Sequence, residues 1–371
     1  MLKCIYIYLY LVFKNLNNFI ADTMDTKGNI ENHSKIKLSI YEKYLKAYLS
    51  IMMSLYCTDI FIVEPFAGKG ISNNGEEGSA IIAKNVITSI SNSSNKNIHL
   101  VLNDIKKESY VDLIKNLEPD GNRVLCFNKD ANEFINDVLS KADHKTKTNH
   151  LFFIDPWGYT QLRGDTYQNI FKAKRLDILI FIPINHIYRF LRKEENSEQL
   201  KPIAGFLNDM GIAEEDARKC QDEMSFVNEI KKAFTKKADT DYVYYKELKN
   251  TKSNNKYTLF FLTKHILGAE KFLEALDKIK EKDLFEKTIS DEDSPFIENI
   301  HKNKSLTNCE LYEYGILHGL LPKRVTAILN SYEKDNKITV MPMPEVSNRK
   351  KGNFYISYKN KEKPKIKIVF K

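Results

Sequence analysis

The chain contains no CxxC pair. Its five cysteines (Cys4, Cys57, Cys126, Cys220 and Cys309) are scattered over 371 residues. An odd, dispersed set fits reduced thiols in a cytoplasmic protein and argues against a disulfide framework. The eight histidines are equally spread, with no Cys/His cluster at ligand spacing, so no metal site is expected. Ile5 to Phe13 is apolar, but Lys14 stops it well short of the ~20 residues a membrane span needs. A secretory signal needs a small-residue cleavage site, and Ala21-Asp22 supplies a poor one. Residues 1–34 therefore read as a flexible or mis-started lead-in, with Met24 the more natural start, and no membrane partner is expected. There is no internal repeat.

What the chain does have is one ordered set of strand ends. Asp59 to Val63 is a short, nearly continuous apolar run, as in a strand buried on both faces. Glu64 closes it, and the turn Phe66-Ala67-Gly68-Lys69-Gly70 follows. Glycine tolerates positive φ and carries no Cβ, so backbone N–H groups there can approach a nucleotide-like ligand. Three later runs answer this one. They are His99 to Asp104, Arg123 to Asn128 followed by Lys129-Asp130, and His150 to Asp155 followed by Pro156-Trp157-Gly158. Four strands with polar or acidic carboxyl ends build one rim of an open α/β sheet, where ligands sit. Asp177 to Ile182 reads as a fifth strand, and Tyr242–Tyr245 with Lys256–Leu262 as a closing hairpin across 251–255. Helices are expected over Ser79–Ser91, Lys107–Leu117 and Gly268–Lys280.

The details separate cofactor classes. A dinucleotide-binding fingerprint needs a third glycine at fixed spacing, which this turn lacks. The loop Asp155-Pro-Trp-Gly158 instead looks like the Asp/Asn-Pro-Pro-aromatic loop of methyltransferases acting on exocyclic base amines. With Trp157 in place of the second proline, it more closely resembles the Asp-Pro-Phe-Gly loop of tRNA guanine dimethyltransferases. A carboxylate and a backbone carbonyl accepting the amine N–H bonds would orient it and return charge to nitrogen. An adjacent ring can stack on an extruded base.

On these residues the segment from about Lys35 to His265 resembles the three-Cys-motif partner (TcmP) proteins. The motifs shared are Ile40-Tyr-Glu-Lys-Tyr-Leu45, Phe66-Ala-Gly-Lys-Gly70, Gly78-Ser79, Asp155-Pro-Trp-Gly158, and Phe181-Ile-Pro-Ile-Asn185 with Arg189. The resemblance implies a class I, Rossmann-like seven-stranded methyltransferase sheet with helices on both faces, and S-adenosylmethionine as cofactor. It also implies a cysteine-motif partner protein, which carries the three cysteines of the family name. Glu64 would contact the methionine amine, Phe66, Ala67, Gly68 and Gly70 would wrap the amino acid and ribose, and Asp104 would take the ribose hydroxyls. Asp130 would accept the adenine amine, with Ala131 offering a backbone N–H. Asp155, Pro156 and Trp157 would form the catalytic loop, with Tyr159, Asn185 and Arg189 lining the substrate side. For each strand-end carboxylate, capping of the next helix is the plainer alternative. For Arg189 it is an ion pair with Glu194 or Glu195.

Length and a 42% hydrophobic content suit one large globular domain with a small one. Residues 301–371 hold 15 Lys and Arg against 6 Asp and Glu, a balance of +9 that leaves the preceding residues at −1. That asymmetry is the footprint of a polyanion-binding segment or of a solvated lysine-rich tail. Thr307 and Glu310 form a capping box ahead of a helix that ends at His318-Gly319. A second helix follows over Lys323–Tyr332, then a strand at Ile338–Met341, a basic loop at Asn348–Gly352, and a strand at Phe354–Tyr358. This order reads as a winged helix, with Lys323, Arg324, Arg349, Lys350 and Lys351 placed to meet nucleic acid. The expected domains are 35–290 for the methyltransferase-like body, 291–300 for a linker and 301–371 for the basic domain. Three functions stay open: a nucleobase N-methyltransferase, a non-catalytic cofactor-binding subunit of a two-protein system, and a winged-helix regulator. The oligomeric state is not legible.

Overall fold

The computed structural model describes residues 32–55, 59–91, 96–118, 123–141, 148–192, 200–249, 256–280, 293–346 and 349–371. The lead-in before residue 32, the turn 251–255, Cys57, Glu194, Glu195 and Asn348 lie outside the described residues. The chain divides into two compact units, residues 1–264 and 265–371.

The first unit is an α/β layer structure. Its strands are β1 (Asp59–Glu64), β2 (Asn97–Asn103), β3 (Val124–Phe127), β4 (Asn149–Ile154), β5 (Leu176–Ile182), β6 (Val243–Lys249) and β7 (Lys256–Leu262). They form one sheet in the order β3-β2-β1-β4-β5-β7-β6. Strands β1 to β5 run parallel, with Val63 opposite both Val101 and Phe152, while β7 is antiparallel to β5 and β6. The apolar runs match this placement, because Ile60, Ile62, Val63, Leu151, Phe152 and Leu179 are fully buried at the centre of the sheet. This is the seven-stranded, Rossmann-like sheet with one antiparallel strand inserted beside β5 that the family resemblance implied.

Strand order reverses between β1 and β4, so a crevice opens at their carboxyl ends. Helices α2 (Ser79–Ser91), α3 (Lys107–Leu117), α4 (Ala131–Lys141) and α5 (Gly164–Lys172) supply the crossovers. Ahead of the sheet, α1 (Asn32–Ser54) buries Lys37, Ile40, Tyr41, Tyr44, Leu45 and Tyr48, spaced three and four apart on one face. Tyr41 stacks on Phe153 at 4.2 Å, and the Tyr44 hydroxyl donates to Asp177 Oδ2 at 2.6 Å. After β5 come α6 (Ile184–Leu191), α7 (Leu200–Met210), α8 (Glu214–Lys219) and α9 (Glu223–Ala238).

At its start the second unit departs from expectation in two places. It begins at His265, so α10 (Ile266–Lys280) belongs to it, and the segment read as a linker carries α11 (Ser294–His301). Pro295 suggested a break, yet it sits in the first helical turn, where no N–H is required. Phe296 and Ile300 of this helix are fully buried. There follow β8 (Ser305–Thr307), α12 (Asn308–Leu317), α13 (Pro322–Lys334), β9 (Ile338–Pro342) and β10 (Ile366–Phe370). The three strands pair antiparallel in the order β8-β10-β9. The capping box at Thr307 and Glu310 is present.

The last strand is displaced from the expected position. Phe354 to Tyr358 is irregular; Phe354 and Ile356 are buried, but Tyr355 adopts φ +55°, which an extended ladder does not allow. The strand forms instead at Ile366–Phe370, where Ile366 and Ile368 alternate with exposed Lys367. A lysine-rich run concealed that alternation.

Candidate functional site at the carboxyl ends of β1 to β4

The turn after β1 is held by its neighbours. Gly68 and Gly70 adopt φ +63° and +81°, conformations that favour glycine. The Gly68 N–H donates to Asp104 Oδ2 at 3.0 Å, and the Ala67 N–H to the Asn103 carbonyl at 2.9 Å. Asp104 also accepts the Lys106 N–H through Oδ1 at 2.9 Å. Burial pushes the Asp104 carboxyl above the usual carboxylate range, and those two N–H groups hold it back. A Cβ on Gly68 would meet nothing within 4 Å, whereas one on Gly78 would meet the Gly70 carbonyl oxygen at 2.9 Å. The turn is thus backed tightly by Gly78 and open in front of Gly68.

Glu64 is buried below this turn. It accepts the Tyr41 hydroxyl at 2.8 Å and the Ser79 hydroxyl at 2.5 Å. Burial pushes its carboxyl up to about 7, opposed by those two hydrogen bonds. Ser79 and Tyr41 come from motifs already singled out in the sequence, but their convergence on Glu64 needed the fold.

At β4, the Asp155 carboxylate is ion-paired with Lys37 of α1, whose ammonium also lies 4.5 Å from the centre of the Phe181 ring. The Lys37 side chain is only 8% exposed, so this charge is built into the site. Sequence reasoning missed it, because nothing local distinguishes Lys37 from its neighbour Lys35. Pro156 is buried, while Trp157 projects outward at 41% exposure. The Trp157 N–H donates to Gln161 Oε1 at 2.8 Å, and the Lys106 ammonium lies 4.3 Å from the centre of its ring.

Two asparagines knit the rim together and were also missed. Asn103, fully buried, donates to the Pro65 and Lys129 carbonyls at 3.1 Å each and accepts the Lys129 N–H at 3.0 Å. It ties the ends of β1, β2 and β3 together. Asn132 donates to the Gln161 carbonyl at 3.0 Å and accepts the Arg163 N–H at 2.9 Å, joining α4 to the Trp157 loop. Their signal in sequence was only an asparagine near each strand end.

Other expected residues take plainer places. Asp130 Oδ1 accepts the Asn132 and Glu133 N–H groups at 3.0 and 3.3 Å, so it caps α4, and Ala131 is buried behind it. Phe66 packs against the core. Tyr159 packs near His186 and Phe206, and burial pushes its hydroxyl up to about 12. Asn185 donates to Glu223 at 2.9 Å, and Arg189 is exposed on α6.

In the second unit, Lys323 pairs with Asp277, and Arg324 with the buried Asp293. Arg349 forms a fork on Glu333 at 2.7 and 3.1 Å, with its Nε donating to the Asn353 carbonyl at 2.7 Å. Its side chain is 8% exposed. These three cations, expected on a binding face, are joined to acidic partners within the unit; Lys350 and Lys351 are exposed.

Among the described residues, no group of three His, Cys, Asp or Glu side chains could hold a metal ion, and no helix is long and apolar enough to cross a membrane. The chain matches no family model and no curated protein. Solved structures do match in part. A protein from Legionella pneumophila str. Philadelphia 1, of family-model DUF519, is 14% identical, with 68% of this chain and 92% of that one covered and a TM-score of 0.39. A SAM-dependent methyltransferase from Agrobacterium tumefaciens is 9% identical, over 60% of each chain, with a TM-score of 0.32. Loganic acid methyltransferase with SAH is 11% identical, over 69% of this chain and 86% of that one, with a TM-score of 0.24.

Proposed function

We propose that this protein is an S-adenosylmethionine-dependent methyltransferase acting on an exocyclic amine of a nucleobase in DNA or RNA. The observation that carries the proposal is the continuous rim from the Gly68 turn through Asp104 to the Asp155-Trp157 loop, at the point where strand order reverses. The residues present suit the cofactor. Glu64 is a buried carboxylate beneath the turn, Asp104 is a second one bound to the Gly68 N–H, and the space in front of Gly68 is open. When bound, S-adenosylmethionine supplies a methyl group on a sulfonium.

The chain's own residues do the rest. Asp155, held by Lys37, accepts the N–H of the target amine and orients its lone pair. As positive charge develops on that nitrogen, the nearby carboxylate stabilises it and provides a way out for the departing proton. Trp157 stacks on the base. The second unit has the helix-strand-helix-helix-strand-strand order of a winged helix and would bring the nucleic acid. Lys350 and Lys351 are the exposed cations of its basic loop.

Calorimetric titration of S-adenosylmethionine into the wild type and an Asp104→Asn variant tests the cofactor half. Asparagine retains one acceptor for the turn while removing the carboxylate. Binding in the wild type, weakened in the variant, followed by tritiated-methyl incorporation into DNA or tRNA, supports the reading. A wild type that does not bind would sink it.

A further inference from the structure

Trp157 is the only tryptophan in the chain. It stands on the rim with its backbone tied to Gln161 and its indole exposed beneath the Lys106 ammonium. Lys106 is itself exposed, while its backbone N–H is fixed by Asp104. Its neighbour Ile105 is 59% exposed. An aromatic face and a cation on a pinned backbone therefore lie together in the open, with an exposed aliphatic residue next to the cation in the chain. None of the three is buried in the core, and an exposed indole held against an ammonium offers a ligand a stacking face and a charge side by side.

We infer that Lys106 and Trp157 form a substrate subsite for a phosphorylated nucleotide, in which the indole stacks on the base and the ammonium takes the adjacent phosphate. The inference rests on the nucleobase reading above and narrows it to a nucleotide unit of nucleic acid. Stacking of a base on an aromatic ring is worth more than an exposed cation–π contact, so an arriving base displaces the ammonium from the indole. The backbone of Lys106 stays bound to Asp104, so its side chain remains beside the ring it has left. Lysine serves a phosphate there as a flexible point charge. A small amine or a free nucleoside would engage only half of the subsite.

Because no other tryptophan contributes, fluorescence excited on the red edge of the near-ultraviolet band, beyond tyrosine absorption, reports on this indole alone. Each ribonucleoside 5′-monophosphate is titrated against its nucleoside with S-adenosylhomocysteine at saturation, in wild type, Lys106→Met and Lys106→Arg. The monophosphates should quench with a Kd about three- to fivefold below that of the nucleosides at low salt, the upper range for an exposed charge pair, with the gap closing by about 0.5 M salt. Lys106→Met should abolish the gap and Lys106→Arg should keep it. Equal affinities in the wild type, a gap that survives Lys106→Met, or no quenching by any nucleotide would overturn the inference. Calorimetry with S-adenosylhomocysteine on the wild type separates the two failures. Cofactor binding without nucleotide discrimination sinks only the subsite, and absence of cofactor binding sinks the methyltransferase reading itself.

Discussion

The Lys37 ammonium is ion-paired with the Asp155 carboxylate, joining residues 118 positions apart in the chain. Lys37 belongs to the helix that precedes the sheet, and Asp155 to the loop that closes the crevice. The pair puts a compensated charge where an amine would be oriented, and it makes α1 part of the site as well as a cover for the sheet.

Removing one member of that pair should cost more than removing both. Lys37→Met leaves a partly buried carboxylate without its cation, a loss of about 1–3 kcal/mol, below the range for fully buried pairs because Asp155 is partly exposed. In Lys37→Met/Asp155→Asn the loss should be smaller than the sum of the single losses by at least ~1 kcal/mol. Urea unfolding of the three variants measures the coupling, and strict additivity would show that the contact contributes nothing.

Glu64 gives the first unit a pH dependence of known sign. Its folded carboxyl is raised from 4.5 to about 7, so the folded state holds the proton more tightly than the unfolded chain does. Stability attributable to Glu64 is fully present below pH ~4.5, falls as pH rises through that window, and levels off above ~7. Glu64→Gln should flatten this part of the profile by about 1–3 kcal/mol. Urea midpoints from pH 4.5 to 8 provide the check, and an unchanged slope would rule out Glu64 as its source.

Gly68 in the turn and Gly78 behind it should respond differently to alanine. Gly68→Ala meets no neighbour, so its cost is the left-handed backbone alone, about 1 kcal/mol. Its methyl enters the open space in front of the turn and should weaken S-adenosylhomocysteine binding. Gly78→Ala presses on the Gly70 carbonyl and should shift the turn itself, costing more stability. Thermal unfolding and calorimetry on both variants separate the cases. Equal stabilities would refute the contrast.

In the second unit, stability and binding charge are predicted to reside in different cations. Arg349→Met should destabilise by about 3 kcal/mol, because it strands Glu333 in a nearly buried site. Lys350→Ala/Lys351→Ala should leave stability within about 0.5 kcal/mol while lowering the salt slope of duplex binding by about 2. Anisotropy titrations over a range of salt, alongside urea unfolding, distinguish the two roles.

Much of the sheet was legible because its signals are local. Strands β1, β2 and β4 are apolar runs closed by polar residues, β5 is a nearly continuous apolar run, and the Thr307 capping box needs only residues three positions apart. The misplaced final strand shows the limit of such reading. Phe354 and Ile356 alternate as in a strand and are buried as strand residues would be, but Tyr355 turns the backbone out of the extended region.

By itself the sequence determined the strands of the large sheet, the glycine turn and the candidate rim of Glu64, Asp104 and Asp155, since hydrophobic runs and backbone permissiveness act over a few residues. Only the tertiary structure decided what the polar groups do. It placed Lys37 on Asp155, made Asn103 and Asn132 the ties of the rim, turned Asp130 into a helix cap, and joined Lys323, Arg324 and Arg349 to acidic partners. The reason is physical. A charge or amide is stabilised by whichever partner the fold brings within about 3 Å, and that partner is often tens of residues away.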